Sequence, residues 1–310
     1  MSRMEKKSSE PSFTVATTSH ELRGDYSKAA ADYTIQQDWS QYTEAEHALW
    51  RQLYQRQAAL MPKYAAKVVQ DSLDELDFSQ AIPNLDKVSQ KLQAATGWRL
   101  VAVPGFIPDT AFFAHLAQRQ FPVTIWLRKP EEIDYLVEPD IFHDFFGHVP
   151  LLFDPVFADF LQLYGVKGAE AERLGMTQYL ARLYWYTVEF GLIREGGKIK
   201  AFGAGILSSF TETAFCIDDK SPNRIEFDLE RVMNTLYRID DFQETYFVLE
   251  SFADLFAALK QDLRPIYDRV KALPDHAPDD VLCRDCVYWR GTGAWKKRKQ
   301  AGCAAPASSR

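Results

Sequence analysis

A mainly α fold with a small amount of β, gathered into one domain, is what this sequence predicts, and three observations carry the prediction. Helix start and stop signals recur along most of the chain. Strand signals are confined to three short runs. The 310 residues, 46% apolar and 25% charged, are enough for one large core, and no break in composition divides them.

Residues 1–39 mix Ser, Thr, Lys and Glu without sustained periodicity and are expected to form a mobile leader. Thr43 then stands three residues before Glu46, the pattern of a capping box, and Trp50, Leu53, Tyr54, Ala58 and Met61 follow at helical spacing until Pro62 ends the run. Further helices are expected over residues 86–95, stopped by Gly97, and over 110–120, opened by Asp109. Two more are expected over 155–164, stopped by Gly165, and over 251–259, with Asp254 in the first turn. Residues 123–127 read as a strand, and 190–194 with 198–202 read as a hairpin turned at Glu195-Gly196-Gly197. From residue 271 to 310 the chain is expected to be a loosely packed tail, which leaves 40–270 as the domain proper.

The net charge of −7, from 43 acidic against 36 basic residues, argues against a nucleic-acid partner. No window approaches the roughly 18 uninterrupted apolar residues of a membrane span, so no membrane is expected either. Four cysteines are too few for a disulfide scaffold and suit a reducing compartment, which points to the cytoplasm. There is no P-loop, and Gly203-Ala204-Gly205 lacks the third glycine of a dinucleotide fingerprint. Chemistry on a small molecule is the class that remains.

Two windows carry polar groups in apolar company. Residues 141–153 contain two histidines, His143 and His148, and one aspartate, Asp144, among Ile, Phe, Val and Leu, with no Lys or Arg to neutralise them. Residues 183–193 carry Glu189 as their only formal charge. Burying such groups unpaired costs several kcal/mol, so something must compensate them, and a divalent metal is the commonest compensation. Two imidazoles and one carboxylate form the facial triad, which leaves coordination positions open and suits non-haem iron(II). On an ideal α-helix His143 and His148 would lie about 140° apart, so the helix is expected to stop at Gly147 with Pro150 preventing its resumption.

Glu138-Pro139-Asp140-Ile141-Phe142-His143-Asp144, Gly147-His148-Val149-Pro150, Tyr184-Trp185-Tyr186-Thr187-Val188-Glu189-Phe190-Gly191 and Gly203-Ala204-Gly205-Ile206-Leu207-Ser208-Ser209 closely resemble the pterin-dependent aromatic amino acid hydroxylases. The resemblance runs from about residue 42 to 259 and is closest to the bacterial single-domain phenylalanine 4-monooxygenases, including Ala95-Thr96-Gly97-Trp98 and Phe121-Pro122-Val123-Thr124. It implies an aromatic amino acid hydroxylase-like catalytic domain in which Fe(II) is held by His143, His148 and Glu189. Tetrahydrobiopterin or another tetrahydropterin would stack on Phe112, with Gly105, Ile107, Asp144 and Tyr184 also on the pterin side. Arg128 matches the family's substrate-carboxylate arginine, which a guanidinium suits because it clamps a carboxylate at two points. The substrate ring would lie against Pro139, Trp185 and Phe190, with Ser208, Glu212 and Ile239 completing the wall.

The activity so implied is hydroxylation of L-phenylalanine to L-tyrosine with O2 and a reduced pterin. Trp185 disfavours a tryptophan enzyme of the same family, and the aliphatic Ile239 stands where tyrosine enzymes carry an acid. No long regulatory region and no heptad pattern for assembly is present, so an unregulated monomer is expected. Two rivals of other classes use the same residues: a zinc hydrolase working through the same triad, and a non-catalytic helical binding module in which the triad is core. Cys283, Cys286 and Cys303 lack a fourth ligand for a zinc site, and the basic run Trp295-Lys296-Lys297-Arg298-Lys299 reads as a solvated tail. His20, His47, His115 and His276 read as surface or structural.

Overall fold

The computed structural model describes residues 22–303 except 135 and 137. Helices dominate and strands are short, as the sequence predicts. The predicted capping box forms: Thr43 Oγ1 accepts from the Glu46 N–H at 3.2 Å while the Glu46 carboxylate accepts from the Thr43 N–H at 2.8 Å, opening the helix Glu44–Ala58. The helix Leu85–Thr96 stops at Gly97 in the left-handed conformation, φ 76°.

The helix Pro155–Leu174 runs ten residues past its predicted stop, to Gly175. Gly165 is not a terminator. A Cβ there would lie 2.4 Å from the Ala117 amide nitrogen, and one at Gly168 would lie 2.2 Å from the Phe113 ring, so both glycines exist to let this helix lie close against Asp109–Ala117.

Strands β1 (Arg99–Val103) and β2 (Gln120–Thr124) form a parallel pair. β3 (Leu192–Glu195) and β4 (Lys198–Ala201) make the predicted hairpin, with Gly196 and Gly197 at φ 55° and 77° in its turn. β5 (Asn223–Glu226), β6 (Thr245–Leu249) and β7 (Val287–Trp289) complete a five-stranded sheet of order β4-β3-β6-β5-β7. In the core Trp50 meets Phe142 and Phe145 edge to face, Phe78 meets Phe145 in the same way, and Phe78 lies tilted against Trp50.

Two expectations about the chain ends are corrected. Residues 22–39, counted in the mobile leader, are docked: the Ile35 N–H donates to Ala102 O at 2.9 Å, Tyr26 Oη to Phe106 O at 2.9 Å and Trp39 Nε1 to Ile82 O at 2.6 Å. The leader's residues 1–21 lie outside the described residues. Residues 271–303 of the predicted tail are not loose either, and its residues 304–310 lie outside the described residues. Arg231 and Asp285 pair at 3.0 Å with side chains 1% and 2% exposed, and β7 pairs with β5. A domain ending at 270 would leave Arg231 a buried, uncompensated cation. The tail is held by ion pairs and backbone hydrogen bonds, which leave no apolar periodicity to read.

Among the described residues no single helix is long and apolar enough to cross a membrane, and the one pair of helices that passes together, His143–Phe153 with Pro155–Leu174, is bent by 115°. Cys283 and Cys286 are free and exposed. The Cys303 side chain lies outside the described part.

Candidate active site

The two polar windows meet at the floor of one cavity of about 540 Å³, a size usual for small-ligand sites. The expected helix break between His143 and His148 does not occur. His143–His148 winds instead as a π-helical turn. With i→i+5 winding the fifth residue comes round to about where the first began, so both imidazoles leave the same face. Their ring centroids are 5.2 Å apart at 82°. Gly147 serves this by close approach: a Cβ there would lie 2.8 Å from both Cβ and O of Ala204.

Glu189 arrives by the same device. Trp185–Glu189 is a second π-helical turn, closed by the Phe190 N–H on Trp185 O at 2.8 Å, five residues back. Glu189 Oε1 lies 3.2 Å from His148 Nε2 and Oε2 lies 3.6 Å from His143 Nε2. Among the described residues this is the group of His, Cys, Asp or Glu placed to hold a metal, one donor atom from each falling within 4.8 Å of the others.

Local hydrogen bonds prepare the donors. Ser208 Oγ gives its hydrogen to Ala204 O at 2.8 Å, so it accepts from His143 Nδ1 at 2.8 Å. That fixes the hydrogen on Nδ1 and turns the Nε2 lone pair toward Glu189. Burial lowers the His143 pKa, favouring the neutral imidazole that a metal needs. Burial alone would raise the Glu189 carboxyl, but the neighbouring imidazoles, His148 first, and the Gly205 amide hold it below the usual carboxylate range.

Arg128, 7% exposed, is clamped by fully buried Asp140: Nε and Nη2 each donate to its carboxylate at 2.9 Å, and the Arg128 backbone N–H also donates to it at 2.9 Å. Burial opposes ionisation of Asp140, but the Arg128 charge keeps its carboxyl below the ordinary value. The clamp occupies one edge of the guanidinium and leaves the Nη1 edge for a second carboxylate. Asp140 also accepts from the His143 N–H at 3.0 Å, joining this arginine to the turn of the histidines.

All the residues singled out from the sequence line this cavity. Gly105, Ile107, Phe112, Asp144 and Tyr184 are on it with His143, His148 and Glu189. Phe112 and Tyr184 meet edge to face at 5.8 Å, and burial raises Asp144, whose carboxylate accepts from the Thr124 N–H at 2.8 Å. Arg128, Pro139, Trp185, Phe190, Ser208, Glu212 and Ile239 complete the lining. Trp185 packs between Phe190, centroids 4.8 Å apart, and Tyr237, stacked at 4.5 Å. Sequence reasoning gave no role to Asp140, which stands three residues before His143. It also missed Tyr237 and Gln243, and it read Trp295 and Lys299 as part of a solvated tail, whereas both line the cavity.

The comparisons with known proteins agree on one family for a chain carrying this two-histidine, one-glutamate site. The family profile described as biopterin-dependent aromatic amino acid hydroxylase matches residues 2–272. The phenylalanine-4-hydroxylase of Chromobacterium violaceum is 53% identical over 259 residues, 82% of this chain and 87% of that protein. That of Ralstonia nicotianae is 51% identical over 262 residues, 84% of each. The crystal structure of the Chromobacterium violaceum phenylalanine hydroxylase with iron and phenylalanine bound is similar with a TM-score of 0.80 and 50% identity, covering 83% of this chain and 94% of that one. The chain belongs to the biopterin-dependent aromatic amino acid hydroxylase family.

Proposed function

We propose that this chain is a phenylalanine 4-monooxygenase, converting L-phenylalanine to L-tyrosine with O2 and a reduced pterin. The observation that carries the reading is the convergence of His143, His148 and Glu189 on one point at the floor of an aromatic cavity that also presents a clamped arginine. The donor set fits iron(II): two imidazoles and one carboxylate, with no fourth His, Cys, Asp or Glu in the group among the described residues. A zinc hydrolase would use the same three donors, but the family match favours iron and pterin.

Iron(II) and tetrahydropterin, when bound, supply the reduction of O2 that places one oxygen atom on the para carbon of the ring. The chain's own residues bind and orient. Arg128 receives the substrate carboxylate on its free edge, and Asp140 holds that edge still, so the ring is carried at a fixed distance from the triad. Pro139, Trp185 and Phe190 take the ring by apolar contact. Phe112 provides the stacking face for the pterin, beside Gly105, Ile107, Asp144 and Tyr184. Ser208 keeps the hydrogen of His143 on Nδ1. Apolar walls discriminate among aromatic rings by only about 1–3 kcal/mol, so the choice of phenylalanine over tyrosine or tryptophan is one of ratio. A cytoplasmic monomer that acts without nucleic acid or membrane is part of the same proposal; the net charge of −7 supports the absence of a nucleic-acid partner, and the four cysteines suit a reducing compartment.

The test is anaerobic reconstitution with ferrous iron and tetrahydropterin, followed by an oxygen-dependent assay of phenylalanine, tyrosine and tryptophan side by side. Phenylalanine is expected to show the highest kcat/KM, and His143→Ala, His148→Ala and Glu189→Ala each to lose iron and turnover together. Full iron content in any of the three variants would remove that residue from the ligand set.

A further inference from the structure

The family profile ends at residue 272, yet the chain beyond it returns to the active-site cavity, where Trp295 and Lys299 are part of the lining. The return path is built. Gly291 passes so close to residues 221–223 that a Cβ would lie 2.2 Å from Ser221 O, and its N–H donates to Asn223 Oδ1 at 2.8 Å. Ser221 Oγ then accepts from the Trp295 N–H at 2.7 Å, starting the helix Ala294–Cys303 beside the cavity mouth.

What this helix touches is the loop 237–243. The Trp295 ring stacks on Phe242 with centroids 5.0 Å apart at 28° and meets Phe215 edge to face at 5.6 Å. Trp295 Nε1 donates to Asp241 Oδ1 at 3.0 Å, and Lys299 Nζ holds Asp241 Oδ2 at 3.0 Å. The same loop supports the substrate wall from its other side. Gln243 Oε1 accepts from Trp185 Nε1 at 2.9 Å, Tyr237 stacks on Trp185 at 4.5 Å, and Ile239 lines the cavity.

We propose that Trp295 is a positioning residue for the amino acid substrate: it fixes the loop 237–243 from outside, and that loop fixes Trp185 and Ile239 against the substrate ring. The inference rests on the proposed placement of the substrate between Arg128 and Trp185. The partners of Trp295 given above are Phe215, Ser221, Asp241 and Phe242, none of them a metal ligand or a residue assigned to the pterin, so its effect falls on substrate affinity and ring selectivity. Stacking of this kind is worth roughly a factor of ten in an equilibrium.

The experiment compares the full-length iron-loaded enzyme with Trp295→Ala, Trp295→Phe and Arg128→Lys, reading KM and kcat for phenylalanine and tryptophan, iron content and Tm. Trp295→Ala is expected to raise the KM for phenylalanine about five- to tenfold and the tryptophan-to-phenylalanine ratio of kcat/KM, with iron content and kcat near the parent's. Trp295→Phe, which keeps the stack on Phe242, is expected to restore most of the KM. An unchanged KM and ratio in Trp295→Ala, beside a raised KM in Arg128→Lys, would overturn the role of Trp295 alone. Parallel loss of kcat, iron and Tm without rescue by phenylalanine would show Trp295 to be merely structural. An unchanged KM in Arg128→Lys would overturn the substrate placement and this inference with it.

Discussion

Replacing Glu212 with glutamine is expected to change how the stability of the fold depends on pH. Glu212 is 6% exposed, and its Oε1 accepts from Tyr246 Oη at 2.6 Å and from the Gln243 N–H at 3.3 Å. Burial pushes the carboxyl up to about 7 from the ordinary 4.5; the two hydrogen bonds oppose the rise and Asp241 adds to it. Below pH 4.5 folded and unfolded chains both hold the proton, and this group contributes no pH dependence. As pH climbs from 4.5 to 7 the unfolded chain releases the proton while the folded one keeps it, so stability falls. The accumulated loss is roughly 3 kcal/mol and stays constant at higher pH. Glutamine keeps an acceptor for Tyr246 and Gln243 and has no proton to lose. Urea denaturation at a series of pH values measures both proteins, and other titrating groups cancel in the difference. The gap in stability between variant and parent is expected to widen by about 3 kcal/mol in favour of the variant across that interval. A gap that is constant with pH would refute the assignment of a neutral, buried Glu212.

Gly147→Ala is expected to cost about 1–3 kcal/mol and to weaken iron binding, because the added methyl must displace Ala204; calorimetry and metal analysis check the two effects together. Asp285→Ala is expected to destabilise by about 3–5 kcal/mol, since it strands the Arg231 charge in the interior. Arg231→Met in the same background should recover part of that loss in a urea titration, and no recovery would count against the pair as its source.

The three metal donors were legible because their physics is local, whereas Phe112, Arg128 and the rest of the pterin and substrate walls came only from the family resemblance. Two imidazoles and a carboxylate in an apolar run, with no basic neighbour, demand compensation whatever the fold. How they converge was not legible. A π-helical turn has the same apolar composition as an α-helix, so His143 and His148 looked badly phased until the winding itself was seen. Glycines misled in one direction: Gly147 and Gly165 read as stops, whereas their neighbours are backbone and side chains of other elements lying closer than a Cβ allows. The helices Leu85–Thr96 and Phe252–Lys260 were found close to their ends, whereas Phe210–Asp218 and Leu229–Met233 were missed despite their caps at Ser209 and Asp228. The strands β1, β5, β6 and β7 were missed, and β7 joins the sheet through a partner more than sixty residues earlier in the chain. The docked ends failed for a related reason, since Arg231 and Asp285 are 54 residues apart and neither belongs to a periodic pattern.

The pairing of Arg231 with Asp285 also bears on the order in which the protein is made. Synthesis proceeds from the amino end, so the core can begin to assemble around Arg231 well before residue 285 has left the ribosome. Until then the guanidinium must stay hydrated, and the nascent interior cannot close over it. A prematurely terminated product lacking the last few dozen residues would carry every metal ligand and still be unable to seal, making it a ready substrate for proteolysis rather than a partly working catalyst.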